Sequence, residues 1–385
     1  MMLRPLEICI LQGAFLPVPP LLGGAVEKQW FALGKEFASR GHSVVHFSRK
    51  FPKLPNDEVI DGVNHRRIAG ASAPRTTAVR KVLDLIYTLR VARVMPPSDT
   101  IITNTFWAPF VLAPLNKGRV IVDFSRMPKG QARLYPRNVS IRVPSSAVAR
   151  RVREERADSK GDLWVIPNAL TSPARPVAFP AKRKSLLYAG RVHPEKGLEI
   201  LLEAFLRLPE TLRKEWSLDI AGPWETREGG GGQVFHRELA AKYSHPSIQW
   251  LGSVHDPDTL DRLYAEAAIF CYPSIAEDGE TFGSAPLEAM AWGCATIVSG
   301  LDCFLDFVRS EENGLVFNHR GASAVDSLTG ALCRLMESDD LRYRLGQNAL
   351  NVRQTHSLAS VASLYLDQFQ AFSKGAQPAP RDKIV

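Results

Sequence analysis

Residues 280–288 read ETFGSAPLE, and the apolar run AMAWGCATIVS follows them directly. A carboxylate stands at each end of this stretch, with a turn of small residues between them. Ser284 is predicted to be an N-cap, so that a helix begins near Ala285 with Pro286 in its first turn. The amides of residues 282–284 would point out from the positive end of this helix, where phosphate or sugar oxygens bind. A buried strand-loop-helix unit with two solvated glutamates explains the same pattern equally well.

Strand and helix patterns alternate along the whole chain and predict an α/β fold. A chain of 385 residues is too long for one ordinary core and predicts two domains of roughly 150–200 residues each. The predicted Rossmann-like domains are residues 1–170 and 171–356, with a Pro-rich linker at 171–185 and a crevice between the carboxyl ends of their sheets. A last amphipathic helix at 357–373 is expected to pack back on the first domain. The tail at 374–385 is predicted to be disordered.

The composition excludes several classes of protein. A hydrophobic content of 45% with 23% charged residues is typical of a globular protein and not of a disordered one. The five cysteines are odd in number and lack metal-ligand spacing, which favours a reduced, cytoplasmic protein. No apolar run approaches the roughly 20 residues of a membrane span, and LEICILQG at the N-terminus predicts a strand and not a signal peptide.

The net charge of +8 is unevenly distributed. Residues 1–170 hold 26 Lys and Arg against 13 Asp and Glu, about +13, and the remainder holds 22 against 27, about −5. The basic half suits nucleic acid, an anionic membrane surface or an acidic substrate, and the sign of the charge alone does not choose among them.

The stretch at 75–95, RTTAVRKVLDLIYTLRVARVM, is the most amphipathic of the basic half. One interpretation is a surface helix that packs on the sheet through its apolar stripe and leaves a basic side in water. The other is a helix that docks on anionic lipid headgroups. The predicted stripe consists of Val79, Val82, Leu83, Ile86 and Leu89, and the basic residues are Arg75, Arg80, Lys81, Arg90 and Arg93.

A glycine pair, Gly23-Gly24, follows the first predicted strand and a Pro-rich loop, and a helix follows it. Glycine lets a backbone approach a ligand closely, although glycine pairs are commoner in plain turns. The strand is not followed by G-x-G-x-x-G, which argues against a dinucleotide site.

Two cations five positions apart, Arg191 and Lys196, lie in AGRVHPEKGLE between a predicted strand and a predicted helix. Arginine binds phosphate through its planar fork and lysine as a point charge, so the pair can clamp a diphosphate. The signal becomes much stronger beside residues 280–288 of the same domain. The run GGGG at 229–232 is too featureless for a phosphate loop and predicts a mobile connection.

Residues 185–320 resemble the nucleotide-binding half of glycosyltransferase family 4 through YAGRVHPEKGLEILLEAF, LDIAGPW, IQWLGSV, LYAEAAIFCYPS, ETFGSAPLEAMAWGCATIVS and ENGLVF. Thinner matches in the first half are the glycine pair, RGHSV at 40–44, VPSSAVA at 143–149 and IPNAL at 166–170. The resemblance implies the GT-B fold, in which two Rossmann-like domains with parallel sheets face each other across a cleft. It also implies transfer of a sugar from a nucleotide-sugar to an acceptor hydroxyl, with retention at the anomeric carbon.

The resemblance further implies where the donor binds. Arg191 and Lys196 would hold the diphosphate and take up the leaving-group charge in place of a metal. Glu280 would contact sugar hydroxyls, Glu288 the ribose, and the backbone near Val254 the base. The implied donor-binding positions are Gly23, Gly24, Arg191, Lys196, Val254, Glu280, Thr281, Phe282, Gly283, Ser284 and Glu288. The implied catalytic positions are Glu280, Arg191, Lys196 and Asp123, with no metal and no cofactor besides a UDP- or GDP-linked sugar as substrate.

The chain departs from the family pattern at three places. One is the region around Asp302-Cys303, which replaces the glycine pair common before the later acidic residue. Where the family often has a histidine at a strand end, this chain has Asp123-Phe124, and Asp123 would serve the acceptor or sugar hydroxyls, or is an ordinary strand-end aspartate. Ala295 stands where proline is usual. These differences affect the sugar specificity expected of the chain, not its fold.

The expected partners are a nucleotide-sugar donor, a glycan or lipid-linked acceptor, and an anionic membrane surface reached through the helix at 75–95. Such an enzyme would work in polysaccharide, glycolipid or other glycoconjugate synthesis as a cytoplasmic, peripheral membrane protein. A nucleotide-sugar epimerase of the same fold and a non-catalytic nucleotide-sugar-binding protein are the alternatives. Nucleic acid is not an expected partner, because the basic residues are not interleaved with aromatic ones.

Overall fold

The computed structural model describes residues 4–74, 76–157, 163–172 and 182–373. The chain divides into two compact units. Unit 1 comprises Met1–Thr171 and His356–Val385, and unit 2 comprises Ser172–Thr355. Most of the predicted linker at 171–185 and the whole predicted tail at 374–385 lie outside the described residues.

Unit 1 is built on one twisted sheet. Its strands are β1 (Glu7–Leu11), β2 (Ser43–Arg49), β3 (Asp57–Ile60), β4 (Val63–Ile68), β5 (Thr100–Thr103), β6 (Arg119–Asp123), β7 (Ser140–Val143) and β8 (Leu163–Val165). Their order is β3-β4-β2-β1-β5-β6-β7-β8, and all neighbours are parallel except β3 with β4. The chain reverses its direction across the sheet between β1 and β5. Such a switch point is where open α/β sheets bind ligands.

Helices cover both faces of this sheet. They are α1 (Ala25–Ser39), α2 (Thr77–Val94), α3 (Ala108–Leu112), α4 (Ser146–Glu155) and a C-terminal helix (Leu358–Ser373). One core lies beneath α2, α3 and α4 and includes Phe47 and Tyr87. The other lies beneath α1 and the C-terminal helix and includes Trp30, Phe37 and Tyr365.

The C-terminal helix is part of unit 1 although unit 2 precedes it in the sequence. The ring of Tyr365 packs edge-on against Trp30 with centroids 5.2 Å apart. Arg40 of α1 donates from Nη1 to Ser363 Oγ (2.8 Å) and from Nη2 to the carbonyl oxygen of Ala359 (2.6 Å). The helix thus closes a core that α1 alone would leave exposed.

The face on which α2 packs differs from the predicted one. The buried residues of α2 are Asp84, Tyr87, Thr88, Val91 and Ala92. The predicted stripe is wrong as a packing face, because Val79, Val82, Ile86 and Leu89 are between 40% and 57% exposed. Tyr87 and Val91 instead pack into the core, and Asp84 lies on the same buried face, where its carboxylate accepts from the amide of Trp107 (3.4 Å). An apolar stripe beside basic residues is therefore left on the outside.

Unit 2 contains a six-stranded, all-parallel sheet. Its strands are β9 (Arg183–Ala189), β10 (Ser217–Ala221), β11 (Ile248–Gly252), β12 (Ala267–Tyr272), β13 (Ala295–Ser299) and β14 (Leu315–Phe317). Their order is β11-β10-β9-β12-β13-β14. The helices are α5 (Leu198–Leu206), α6 (Glu210–Glu215), α7 (Gln233–Lys242), α8 (Pro257–Glu266), α9 (Ser284–Ala291), α10 (Ala324–Glu337), α11 (Asp339–Ala349) and α12 (Val352–Thr355). The switch point lies between β9 and β12, the strands that precede Arg191 and Glu280.

Two further properties of the described residues bear on the earlier expectations. None of the described helices combines the length and the apolarity needed to cross a bilayer. All five cysteines are unpaired thiols, and only Cys333 is not fully buried.

Candidate functional site

The candidate site lies at the carboxyl ends of β9 and β12. The two strands are held together there by Tyr188 and Tyr272, whose rings stack with centroids 5.8 Å apart. Beyond β9 the chain passes close to the end of β10. A Cβ at Gly222 would collide with the carbonyl oxygen of Gly190, so only glycine permits this approach. The loop that carries Arg191 therefore starts from a rigid base.

Lys196 lies at the end of a short 3-10 turn, Pro194–Lys196, and is almost completely buried. The next residue, Gly197, has φ +66°, and a Cβ there would collide with the carbonyl oxygen of Pro273. This contact presses the turn against the end of β12. A buried lysine needs a compensating negative charge, and a carboxylate lies beside Lys196.

That carboxylate is Glu280, 84 residues further along the chain. Lys196 Nζ donates to Glu280 Oε2 at 2.6 Å, and the two side chains are only 6% and 12% exposed. Ser274 Oγ donates to the same oxygen at 3.1 Å. Because Ser274 lies two residues beyond the end of β12, the strand end fixes the carboxylate beside the ammonium group. The structure thus brings together two of the predicted site residues.

Arg191 lies on the more open side of the same loop. Its Nη2 donates to Glu195 Oε1 at 2.7 Å, and its Nη1 donates to the carbonyl oxygen of Gly229 at 2.8 Å. Its side chain is 42% exposed. Glu195 also lies 4.0 Å from Lys196 Nζ, so a single carboxylate lies next to both cations.

The start of α9 differs from the prediction. The N-cap is Gly283 and not Ser284, which is the first helical residue, and no side chain caps the helix. Gly283 has φ +92°, and a Cβ there would lie 2.5 Å from Phe304 Cε1. The tight packing of Phe304 and the left-handed backbone both require glycine. Serine at 284 is exposed and leaves the helix end open.

The other residues of this stretch are placed around α9. Phe282 is buried against Phe307, with ring centroids 5.3 Å apart, and Thr281 is half-buried. Glu288 lies on the second turn, half-buried, and accepts from the hydroxyl of Tyr264 at 3.2 Å. Burial, together with the Glu288 charge, raises the pKa of Tyr264 well above its ordinary value, so this hydroxyl stays a donor.

A clamp that the sequence did not reveal holds the loop before Glu280. Glu277 accepts from Arg320 Nε at 2.8 Å and Nη2 at 3.0 Å, and His319 Nε2 lies 2.9 Å from Glu277 Oε1. Burial alone would raise the pKa of Glu277, but the hydrogen bonds from Arg320 and His319 outweigh it and lower the pKa. The clamp is anchored beyond β13, because Arg320 Nη1 donates to the carbonyl oxygen of Gly300.

The glycine run at 229–232 is not the featureless connection that the sequence predicts. The amides of Gly230, Gly231 and Gly232 donate to the carbonyl oxygens of Glu225 (3.0 Å), Val192 (2.8 Å) and Trp224 (2.7 Å). We name residues 225–232 the glycine loop. Two of these partners lie within eight positions, and the third, Val192, lies 39 positions earlier in the loop that carries Arg191.

Val254 follows β11 in a half-buried loop, and its two neighbours both contact the glycine loop. Ser253 Oγ donates to Glu228 Oε2 at 3.3 Å, and His255 Nε2 lies 3.2 Å from Glu228 Oε1. The glycine loop therefore joins Arg191 to the surroundings of Val254. Glu228 is a candidate site residue that no sequence motif singled out.

The glycine pair belongs to unit 1. Gly23 and Gly24 have φ +76° and +98°, and Gly24 is the N-cap of α1. A Cβ at Gly24 would collide with the carboxylate of Glu27, which folds back over the helix start. Burial raises the pKa of Glu27. The N-terminus of α1 thus already holds a carboxyl group of its own chain.

Asp123 also belongs to unit 1, and both oxygens of its carboxylate already accept hydrogen bonds. Its Oδ2 accepts from Trp30 Nε1 (2.8 Å) and Ser125 Oγ (2.8 Å), and its Oδ1 accepts from Arg142 Nη1 (2.7 Å). The Asp123 and Arg142 side chains are each 1% exposed. Of the two roles that the sequence left open, this geometry favours the structural one.

Comparison with known proteins finds a family model that matches most of unit 2. Residues 174–352 match the family described as Glycosyl transferases group 1. A phosphatidyl-myo-inositol mannosyltransferase of Mycobacterium leprae is 31% identical over 225 residues, 56% of this chain and 55% of that protein. A lipopolysaccharide 1,2-N-acetylglucosaminetransferase of Salmonella typhimurium is 29% identical over 187 residues, 48% of each. The chain spans about half the length of these curated relatives.

Solved structures establish the fold. Sucrose-phosphate synthase from Thermosynechococcus elongatus superposes with a TM-score of 0.77 at 19% identity, covering 96% of this chain and all of that one. The catalytic domain of starch synthase IV from Arabidopsis thaliana gives a TM-score of 0.72 at 14% identity, covering 95% and 99%. The chain has the GT-B fold, with one parallel-sheet α/β domain in each unit, as predicted.

Proposed function

We propose that this protein is a retaining glycosyltransferase of family 4, which moves a sugar from a nucleotide-sugar to an acceptor hydroxyl in glycoconjugate synthesis. The observation that carries the proposal is the buried Lys196–Glu280 pair beside Arg191, at the switch point of a domain that matches glycosyl transferases group 1. A ligand that carries both phosphates and hydroxyls fits a site with two cations and two carboxylates.

The two cations bind the donor diphosphate. Glu195 and Glu280 hold Arg191 and Lys196 in place at 2.7 and 2.6 Å. Fixed charges of this kind stabilise the leaving group as its negative charge develops. In this proposal they supply what a divalent metal supplies elsewhere.

The reaction balances without a separate protein base. The bond from the anomeric carbon to the diphosphate oxygen breaks, and its electron pair goes to the diphosphate. The acceptor oxygen bonds to the anomeric carbon on the face that the diphosphate leaves, and its proton passes to a diphosphate oxygen. Retention follows from this geometry. Asp123, which is buried in an ion pair, takes no part in the proposal.

Glu280 and Glu288 bind the sugar and the ribose of the donor, respectively. Glu280, which is held by Lys196 and Ser274, accepts from sugar hydroxyls near the reacting carbon. Glu288, one helical turn further on, accepts from the ribose hydroxyls. The uncapped start of α9 adds amide donors from residues 282–284. Donor contact by Gly23 and Gly24 of unit 1 stays a prediction.

The acceptor is proposed to be lipid-linked and to be met at a membrane surface. The stripe of α2 is exposed beside basic residues, in the half of the chain with a charge of about +13. Apolar side chains that enter the headgroup region and cations that pair with anionic lipids together bind a bilayer surface. The mannosyltransferase relative is named for a phosphatidylinositol acceptor, which supports this class of acceptor.

Donor binding tests the proposal most directly. We expect UDP, GDP or ADP, or their sugar conjugates, to raise the unfolding temperature of the full chain. Glu288→Ala and Lys196→Ala should each reduce that shift. Lys242→Ala is the matched control, since Lys242 forms an exposed pair with Glu199 in the same unit (3.1 Å). If no nucleotide shifts the wild type, the transferase proposal is wrong; release of free nucleotide without an acceptor would indicate an epimerase.

A further inference from the structure

The glycine loop connects the two ends of the proposed nucleotide site. At one end the carbonyl oxygen of Gly229 accepts from Arg191, the proposed diphosphate ligand. At the other end the adjacent residue, Glu228, contacts the residues on both sides of Val254. Two consecutive residues thus reach from the phosphate end to the base end.

The Glu228 carboxylate is held but not saturated by these contacts. Each oxygen has one partner in the described residues, Ser253 Oγ at 3.3 Å and His255 Nε2 at 3.2 Å. A carboxylate has about four lone-pair sites, so it can accept at least two further hydrogen bonds. The side chain is 26% exposed, which leaves it open to a ligand.

The bases of nucleotide donors differ in what they offer to a carboxylate. Guanine presents N1–H and N2–H side by side, which matches the two oxygens of one carboxylate. Uracil presents one N–H between two carbonyl oxygens, which a carboxylate repels, and adenine presents an amino group beside a bare ring nitrogen. A site built to accept two hydrogen bonds discriminates against bases that supply fewer.

We propose that Glu228 reads the donor base and selects guanine, so that the donor is a GDP-linked sugar. This inference rests on the proposed function, because that function places the diphosphate at Arg191 and the base near Val254. It adds a specificity-determining residue and a donor class. Charge-assisted hydrogen bonds of this kind should give guanine an advantage of about ten-fold or more.

Calorimetric titration of the full chain with GDP, IDP and UDP tests the inference. IDP differs from GDP only in lacking the N2 amino group, so the comparison isolates one of the two hydrogen bonds. The variant is Glu228→Gln, and the matched control is Glu225→Gln, which makes the same change at the other end of the same loop. We expect GDP to bind about ten-fold or more tighter than UDP, with IDP between them. Glu228→Gln should remove most of that preference, and Glu225→Gln should keep it.

The outcomes separate the two proposals. If nucleotides bind but UDP is preferred, or if Glu228→Gln leaves the GDP to UDP ratio unchanged, the inference is overturned and the transferase function stands. If no nucleoside diphosphate binds the wild-type chain, both fail. If Glu228→Gln keeps its affinity for UDP and its unfolding temperature, the variant is folded. A lost preference for GDP then reports on recognition of the base.

Discussion

Replacing Asp123 by alanine should destabilise unit 1 strongly while leaving nucleotide binding by unit 2 intact. The substitution removes the acceptor of three hydrogen bonds and leaves Arg142 buried without its charge partner. Arg142 also lies 5.7 Å from the ring centroid of Tyr365, so its uncompensated charge would face the core that the C-terminal helix closes.

The size of the effect follows from the burial of the pair. Removing one partner of a buried ion pair costs about 3–5 kcal/mol, whereas an exposed pair contributes about 1 kcal/mol or less. For a unit of about 200 residues this corresponds to a fall of roughly 6–20 °C in unfolding temperature. Asp57→Ala is the matched control, because the pair of Asp57 with Arg66 is exposed and 3.9 Å long.

Calorimetry resolves the two units if they unfold separately, and nucleotide titration at 20 °C reports on unit 2 independently. A second variant, Asp123→Asn, keeps the shape of the side chain and should be destabilised less. The structural assignment would be refuted by an Asp123→Ala protein that unfolds at the wild-type temperature and yet has lost sugar transfer. In that case Asp123 is catalytic and the favoured alternative is wrong.

Three further predictions address other parts of the chain. Glu280→Gln should lower sugar transfer by about a hundred-fold or more, and near-normal transfer would remove Glu280 from the site. The unfolding temperature should also fall, because the variant leaves Lys196 buried without its charge partner. Burial lowers the pKa of His65 to about 4, so the folded state binds fewer protons than the unfolded state below pH 6.5, and stability falls on acidification. His65 accounts for about 2 kcal/mol of this fall between pH 7.5 and 5 in urea unfolding. Burial also lowers the pKa values of His46 and His356, so His65→Phe should remove only the share of His65; an unchanged slope would contradict the assignment. Reversing the α2 cations Arg80, Lys81, Arg90 and Arg93 to glutamate should weaken binding to anionic liposomes by about 1 kcal/mol or more for each residue changed. The control variant Arg183→Glu/Lys184→Glu, in unit 2, should bind as the wild type does. Unchanged binding by the α2 variants would refute the proposed membrane face.

The position of the candidate site could be predicted from the sequence, because the order and the ends of parallel strands follow general rules. Parallel strands present their carboxyl ends at one edge, so Arg191, Lys196 and Glu280 could be expected at one site before any coordinates were known. The hydrogen bond from Lys196 to Glu280 agrees with that expectation. The relevant information is local: a strand pattern, a glycine and a charged residue behind it.

Contacts between distant residues account for what the sequence could not predict. Gly283 caps α9 because Phe304, 21 positions further on, occupies the space beside it. The stripe of α2 is exposed because the opposite face, with Tyr87 and Val91, packs into the core, whereas hydrophobicity alone favours burying the stripe. Glu228 was not predicted because its partners, Ser253 and His255, lie about 25 positions further along the chain.

The position of the C-terminal helix has a consequence for synthesis of the chain. Unit 2 is continuous and can complete its core as soon as it has left the ribosome. Unit 1 must wait for Leu358–Ser373, since Trp30 and Phe37 pack against that helix. At roughly 5–20 residues per second, the 184 residues of Ser172–Thr355 delay it by roughly 10–40 s. During that interval the core beneath α1 lacks its last helix, although the first half of the chain was made first.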